Sequence, residues 1–153
     1  MKASDLFVKC LEAEGVTKIF GIPGEENADL MISLKKSKIE FILCRHEQAA
    51  PFMADVYGRL TGKAGVCLAT LGPGVTNLMT GLADANMDRA PVVAIIGQGS
   101  TERLHKESHQ IMDSISMVTP ISKWAQTILS AKNVTEVVRK AFKVAETEKP
   151  GVT

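Results

Sequence analysis

Four turns rich in glycine and polar residues follow apolar, strand-like segments of the chain. They are Gly21-Ile22-Pro23-Gly24-Glu25-Glu26, Arg45-His46-Glu47-Gln48, Leu71-Gly72-Pro73-Gly74-Val75-Thr76-Asn77 and Gly97-Gln98-Gly99. In a parallel α/β sheet, ligands bind outside the carboxyl ends of the strands, where such turns meet. Glycine and proline also simply punctuate turns, but four such turns at one edge favour a binding site there.

Glu47 is the carboxylate best placed for chemistry, because it follows an apolar run and precedes an apolar helix. A carboxylate partly removed from water has a raised pKa and can exchange a proton with a ligand nitrogen. The alternative is an ordinary residue at a helix N-terminus, stabilised by the helix dipole, and the residues alone leave both open. Pro51 is tolerated only in a first helical turn, so the helix is expected to begin near Glu47 or Gln48.

The glycine-proline turn also invites comparison with nucleotide-binding loops. Gly72, Gly74 and Asn77 give GxGxxN, whereas the dinucleotide fingerprint needs Gly or Ala third and an acidic residue ending the next strand. The next strand here ends in Gly97-Gln98, and no GK[ST] follows the turn. A nucleotide site is therefore disfavoured and kept only as an alternative.

Alternating strand-like and helical segments must position these turns. Strands are expected at 17–20, 40–43, 65–70, 91–96 and 122–128, and helices at 4–14, 25–35, 47–60, 75–87, 111–118 and 133–148. The strands are apolar throughout, which is typical of strands buried on both faces. We therefore predict an α/β fold, a doubly wound and mostly parallel sheet with helices on both faces, over residues 1–153.

Composition excludes several classes of protein. With 45% hydrophobic residues, the chain is typical of a folded domain. Its net charge of +1 is not the excess of positive charge that binding to nucleic acid or an anionic membrane requires. No apolar run approaches the ~20 residues that span a bilayer, and no signal-peptide pattern opens the sequence. The three cysteines cannot all pair, so we expect free thiols in the reducing cytoplasm. No metal site is expected, because the cysteines and histidines do not cluster in sequence; they are Cys10, Cys44, Cys67, His46, His105 and His109.

The last five residues, Lys149-Pro150-Gly151-Val152-Thr153, form a Pro-Gly turn and the start of a further strand after a helix. We therefore expect the sequence to be an N-terminal piece of a longer protein.

Several motifs together carry a family resemblance. FGIPGEEN is followed in order by HEQ, GPGVTN, GLADA, PVVAIIGQ, ESHQIMD and KPG. In this order they resemble the N-terminal pyrimidine-binding domain of thiamine-diphosphate enzymes, above all the large subunits of acetolactate synthases (acetohydroxyacid synthases). The resemblance covers essentially the whole chain.

The resemblance implies two catalytic residues. Glu47 would hydrogen-bond N1′ of the aminopyrimidine and favour the imino tautomer, which removes the proton from C2 of the thiazolium. The resulting carbanion would attack a 2-keto acid such as pyruvate, and the enamine left by decarboxylation would join a second keto acid. Gln110 would lie near the substrate adduct.

Further cofactor contacts are implied in two turns. Gly72, Pro73 and Asn77 match the turn that packs against the pyrimidine, and Gly24 and Glu25 match the loop that approaches C2.

The family's other parts are not in this sequence. The diphosphate and its Mg²⁺ are bound by a separate domain with a GDG…NN motif, which this sequence lacks. That domain belongs to a second subunit, so a homodimer or tetramer is implied, and FAD is possible on a middle domain. The chain alone is expected to be inactive.

Departures from the family pattern leave the substrate open. Pro23-Gly24-Glu25-Glu26-Asn27 replaces a Gly-Gly-Ala type loop, His109-Gln110-Ile111 replaces an FQE-like segment, and Pro51 occupies a position where a small residue is commoner. A related decarboxylase or acetyltransferase, or a non-catalytic dimerisation module, remains the alternative. The adjacent histidine pair of pyruvate decarboxylases is absent, since Leu104-His105 and Ser108-His109 stand in that segment.

Overall fold

A parallel four-stranded sheet forms the centre of the computed structural model, which describes residues 1–104 and 106–153. The strands are β1 Lys18–Gly21, β2 Glu40–Leu43, β3 Gly65–Ala69 and β4 Val92–Ile96. They are hydrogen-bonded in the order β2-β1-β3-β4, and every neighbouring pair is parallel. The winding direction reverses between β1 and β3, which is where such sheets open a crevice for ligands.

Helices cover both faces of this sheet. The helices are α1 Ala3–Ala13, α2 Ala28–Leu34, α3 Ala49–Thr61, α4 Pro73–Met87, α5 Ser114–Val118 and α6 Val134–Glu146. Val66 and Leu68 of β3 pack into one core with α1, α2 and α6, whereas Cys67 and Ala69 pack into a second core with α3 and α4. Because successive side chains of a strand point to opposite faces, the apolar run of β3 fills both cores. The predicted doubly wound α/β fold is confirmed.

The strand expected at residues 122–128 is wrong, since the structure has no regular secondary structure there. Within the described chain, residues 123–128 make one backbone hydrogen bond, from Lys123 N to Val152 O at 2.7 Å. A strand needs hydrogen-bonded neighbours along its length, and this segment has a neighbour at only one end.

β2 has the expected bounds but is not the buried strand that its sequence predicted. It lies at the edge of the sheet, and Leu43 is 67% exposed. An edge strand is covered on one side only, so apolar residues alone do not reveal its position.

Three helices begin later than expected, and for two of them a local contact gives the reason. Glu25–Asn27 is a 3₁₀ turn ahead of α2, closed by a hydrogen bond from Gly24 N to Asn27 Oδ1 at 2.7 Å. α5 starts after Asp113, whose Oδ1 accepts a hydrogen bond from Ser116 N at 3.0 Å. α3 starts at Ala49, so Glu47 lies in the turn before it.

Candidate functional site

Three of the four polar turns meet at Thr70, the residue that follows β3. A Cβ added to Gly24 would lie 2.5 Å from Thr70 Cβ, and one added to Gly97 would lie 3.3 Å from Thr70 Cα. Thr70 Oγ1 also donates a hydrogen bond to Glu26 Oε2 over 3.0 Å. The turns after β1, β3 and β4 therefore form one packed surface at the carboxyl edge of the sheet.

The fourth turn, after β2, joins this surface through Glu47. Asn77 Nδ2 donates a hydrogen bond to Glu47 Oε2 over 2.8 Å. The backbone ahead of α3 holds Glu47 in place, since Ala50 N donates to Glu47 O at 2.9 Å. Glu47 and Asn77 are both half-buried. No side chain in the described ranges donates to Glu47 Oε1, so that oxygen is available to a ligand.

Gly72 and Gln110, which are far apart in the sequence, are packed against each other. Gly72 has φ 58° and ψ −119°, a conformation open essentially only to glycine. A Cβ on Gly72 would lie 2.7 Å from Gln110 Cβ, and Gln110 itself has a φ of 57°. The segment that carries Gln110 thus rests on the glycine-proline turn, and Pro73 follows as the exposed first residue of α4.

The structure brings some of the site residues predicted from sequence into contact with one another, and leaves Glu25 apart from Glu47. Glu47 is paired with Asn77, and Gly72 is packed against Gln110, as described above. Glu25 is exposed, and within residues 1–104 and 106–153 no hydrogen bond or ion pair joins it to Glu47. His105 lies outside the described residues.

Sequence reasoning missed two residues of this edge. Thr70 is the last residue before the glycine-proline turn, and that position beside a conspicuous motif was the available signal. Asn27 is 5% exposed and its Oδ1 accepts from Gly24 N, while its buried Nδ2 has no partner in the described part of the chain. Nothing in the sequence indicated that Asn27 would be buried.

This arrangement suits a flat, nitrogen-containing ring better than a metal ion. A carboxylate fixed by one amide can exchange or share a proton with a ring nitrogen, and a turn without a Cβ lets backbone approach a ring closely. No group of three or more His, Cys, Asp or Glu in the described ranges could hold a metal. None of the helices described is long and apolar enough to cross a bilayer.

Comparison with known proteins identifies the family of this chain. Residues 1–117 match the family model described as thiamine pyrophosphate enzyme, N-terminal TPP binding domain. The chain belongs to this family. Glu47, Asn77, Gly72 and Gln110 all lie within the matched residues, and the family resemblance inferred from sequence is confirmed.

Individual relatives are similar to nearly the whole chain. A catabolic acetolactate synthase of Raoultella terrigena is 46% identical over 148 residues, which are 97% of this chain and 26% of that protein. A probable acetolactate synthase large subunit of Methanocaldococcus jannaschii is 42% identical over 99% of this chain and 26% of that protein. An acetolactate synthase of Bacillus subtilis is 42% identical over 98% of this chain and 26% of its own length. The chain therefore spans about a quarter of these curated relatives.

Proposed function

We propose that this chain is the pyrimidine-binding domain of a longer, thiamine-diphosphate-dependent 2-keto acid carboligase of the acetolactate synthase type. The observation that carries this proposal is the Glu47–Asn77 pair at the point where the sheet reverses its winding. The 46% identity to an acetolactate synthase supports the type of reaction.

The residues at this edge fit the cofactor's aminopyrimidine. Glu47 would share a proton with ring nitrogen N1′ through the oxygen that Asn77 leaves available. Gly72 and Pro73 would present backbone to the ring. A side chain at Gly72 would collide with Gln110, so the glycine also keeps the turn close to the segment that carries Gln110. When bound, the cofactor supplies a carbon nucleophile that adds to a 2-keto acid and accepts the electron pair released by decarboxylation.

Other residues of the site would position Glu47, the loop after β1 and the keto acid. Asn77 holds the Glu47 carboxylate in one orientation, so that its available oxygen is presented to the ring. Thr70 and Glu26 fix the first loop, and with it Gly24 and Glu25, beside the glycine-proline turn. Gln110, on a segment that rests against Gly72, would contact the keto acid.

A second subunit would complete the site. In this proposal its diphosphate-binding domain holds the diphosphate and Mg²⁺, and the enzyme is a homodimer or tetramer. The outer face of α3 supports such an association, because it exposes a row of large apolar side chains, Phe52, Met53, Val56 and Leu60. Apolar patches of this kind mark interaction surfaces. FAD on a middle domain and a cytoplasmic location are parts of the same proposal, the latter supported by three unpaired cysteines.

The deciding experiment replaces Glu47 by Gln in the complete enzyme. We expect acetolactate formation from pyruvate to fall by about 10²–10⁴-fold, the usual contribution of a positioned acid-base group. Exchange of the C2 proton of bound thiamine diphosphate into deuterated water should slow in parallel, which ties the loss to the proton-sharing step.

The matched control is Glu40→Gln, which removes a carboxylate from the opposite end of β2. Glu40 is exposed, and within residues 1–104 and 106–153 its carboxylate pairs with Lys18 on the surface, so activity should be unchanged. Undiminished turnover in Glu47→Gln would refute the proposal. Formation of acetaldehyde or acetyl phosphate by the unmodified enzyme would instead identify a decarboxylase or an acetyltransferase.

A further inference from the structure

Gln98 lies just after β4, in one of the four polar turns, and its side chain is half-buried. The residue before it is bonded to the sheet, because Gly97 N donates to Ala69 O at 2.9 Å. β4 itself is paired with β3 along its whole length. Gln98 is therefore fixed at the same edge of the sheet that carries Glu47 and Asn77.

The side-chain amide of Gln98 is bonded to backbone through both its nitrogen and its oxygen. Nε2 donates to Met112 O at 3.0 Å, and Oε1 accepts from Gly99 N at 2.9 Å. These partners settle the orientation of the amide, since a reversed amide would place donor against donor and acceptor against acceptor. The amide thus joins the end of β4 to a residue 14 positions further along the chain.

A second contact holds the same stretch of chain, residues 110–112, which we call the Gln110 segment. Gly99 lies directly against Ile111, because a Cβ added to Gly99 would be 2.7 Å from Ile111 Cδ1. Met112 O also accepts a hydrogen bond from Ser114 N at 2.9 Å. The C-terminal half of the Gln110 segment is therefore fixed both to the end of β4 and to the start of α5.

Gln110 has a backbone conformation that needs such support. Its φ is 57°, in the left-handed region that residues with a side chain rarely adopt. Such a conformation persists where the surrounding structure holds it, and it is frequent at functional sites. On one side Gln110 rests on Gly72, which has no Cβ in the way. On the other side the support comes from Gln98 through Met112 O.

The two glutamines are suited to different tasks. Gln110 is exposed, and within residues 1–104 and 106–153 no hydrogen bond holds its side chain. Its amide is available to a substrate. The amide of Gln98 is already engaged with backbone at both ends, so Gln98 is suited to holding the chain rather than to binding a substrate.

We propose that Gln98 is a positioning residue for Gln110 and, through it, for the 2-keto acid. Its amide fixes Met112 and so keeps Gln110 over the glycine-proline turn. Glu47 is held by other partners, Asn77 and Ala50, so loss of the Gln98 amide weakens the hold on the keto acid and leaves proton sharing with the cofactor ring intact. This inference deepens the proposed function and rests on it.

Gln98→Met in the complete enzyme removes the amide with little change in side-chain length. We expect the KM for pyruvate to rise about three- to tenfold, the effect of one lost hydrogen bond, with kcat nearly unchanged, because binding rather than chemistry is weakened. Exchange of the C2 proton of bound thiamine diphosphate into deuterated water should keep the rate of the unmodified enzyme. An unchanged rate also shows that the variant is folded and holds the cofactor.

A double-mutant cycle with Gln110→Ala tests whether Gln98 acts through Gln110. In the Gln110→Ala background, Gln98→Met should leave KM unchanged, because the contact that it positions is already lost. The matched control is Gln126→Met, the same exchange at an exposed glutamine whose amide donates to its own neighbour, Thr127 O. It should alter KM in neither background.

Hydrogen exchange of backbone amides gives a readout that does not depend on turnover. The amides of Ile111 and Ser114 are both hydrogen-bonded within this part of the chain. In Gln98→Met, peptides that cover residues 110–114 should exchange about threefold faster or more, because local stability there is reduced. Peptides of β3 should be unaffected and serve as the internal reference, and equal exchange at residues 110–114 would contradict the link to Met112.

The possible failures are distinguishable. An unchanged KM in Gln98→Met, or the same rise in KM with and without Gln110, would refute the positioning role and leave the proposed function intact. Slower C2 exchange in Gln98→Met would also refute it, because Gln98 would then act on the Glu47 site. An unmodified enzyme that forms no acetolactate from pyruvate would refute the proposed function, and this inference with it.

Discussion

Glu47 and Asn77 are joined by a hydrogen bond of 2.8 Å across the point where the sheet reverses its winding. Glu47 follows β2 and Asn77 lies in α4, which follows β3, and β1 runs between those two strands. Neighbouring strands are about 4.8 Å apart, so the two side chains reach toward each other over the end of β1. The pair therefore depends on the strand order of the sheet.

The first prediction concerns the charge beside Glu47. Asn77→Asp replaces the amide donor by a second carboxylate of the same shape. Two carboxylates at hydrogen-bond distance cannot both ionise readily, so one pKa of the pair is raised. In the complete enzyme we expect a loss of about 10²-fold in kcat/KM near neutral pH and an acid limb shifted to higher pH. Asn77→Ser, which keeps a donor, should lose less, and an unchanged pH profile in Asn77→Asp would contradict the pairing.

The second prediction concerns the glycine at the start of α4. Gly72→Ala should destabilise the fold by about 1–3 kcal/mol, because its backbone conformation is strained for any other residue and the new Cβ would collide with Gln110. Gly62 is the matched control, since it also has a positive φ but nothing lies within 4 Å of an added Cβ. Gly62→Ala should cost only about 1 kcal/mol. Urea unfolding of both variants measures the difference, and equal losses would show that the Gln110 contact adds nothing.

The third prediction concerns the close packing of Pro51 in α3 against Gly81 in α4. A Cβ on Gly81 would lie 2.5 Å from Pro51 Cγ, so α3 and α4 pack closely only because residue 81 is glycine. Gly81→Ala should cost about 1–3 kcal/mol by overpacking. In a Pro51→Ala background the same change should cost less, because the Cγ contact is gone and the nearest side-chain atom is the Cβ of residue 51, at 3.0 Å. Additive effects in this double-mutant cycle would exclude the contact.

The fourth prediction concerns alkaline pH. Burial raises the pKa of the Cys67 thiol to about 12, and burial also raises the pKa of Cys44. An unfolded thiol ionises near ~8.5, so the folded state holds the Cys67 proton more tightly. Its contribution to stability is complete below pH ~8.5 and is lost as the pH rises toward 12. The melting temperature of Cys67→Ala should therefore fall less steeply above pH 9 than that of the unmodified chain. Parallel curves would contradict this.

The fifth prediction concerns the outer face of α3. Leu60 is 81% exposed, so Leu60→Glu should leave the melting temperature of the domain nearly unchanged. In the complete enzyme it should weaken subunit association, because a charge would be placed in an apolar interface. Sedimentation at decreasing protein concentration measures this, with Thr61→Glu at the neighbouring exposed position as the control. Identical dissociation of both variants would remove this face from the proposed interface.

The local structure followed closely from the sequence. The apolar run at residues 65–70 identified β3 to within one residue, because a strand buried on both faces leaves no room for polar residues. The glycine-proline turn identified the start of α4 to within two residues, since few residues adopt the backbone angles of Gly72. Local patterns failed at residues 122–128, because a strand needs a hydrogen-bonded neighbour along its length and a local pattern does not specify one.

The sequence by itself determined the types of most elements, the turns that bear polar groups and the family. Tertiary structure decided which of those turns meet. The order β2-β1-β3-β4 brings Glu47 within reach of Asn77, and the path of the chain after β4 lays Gln110 on Gly72. Local propensity acts over a few residues, whereas these contacts join positions 30 or more residues apart. Their distance is set by how the two cores pack against the sheet.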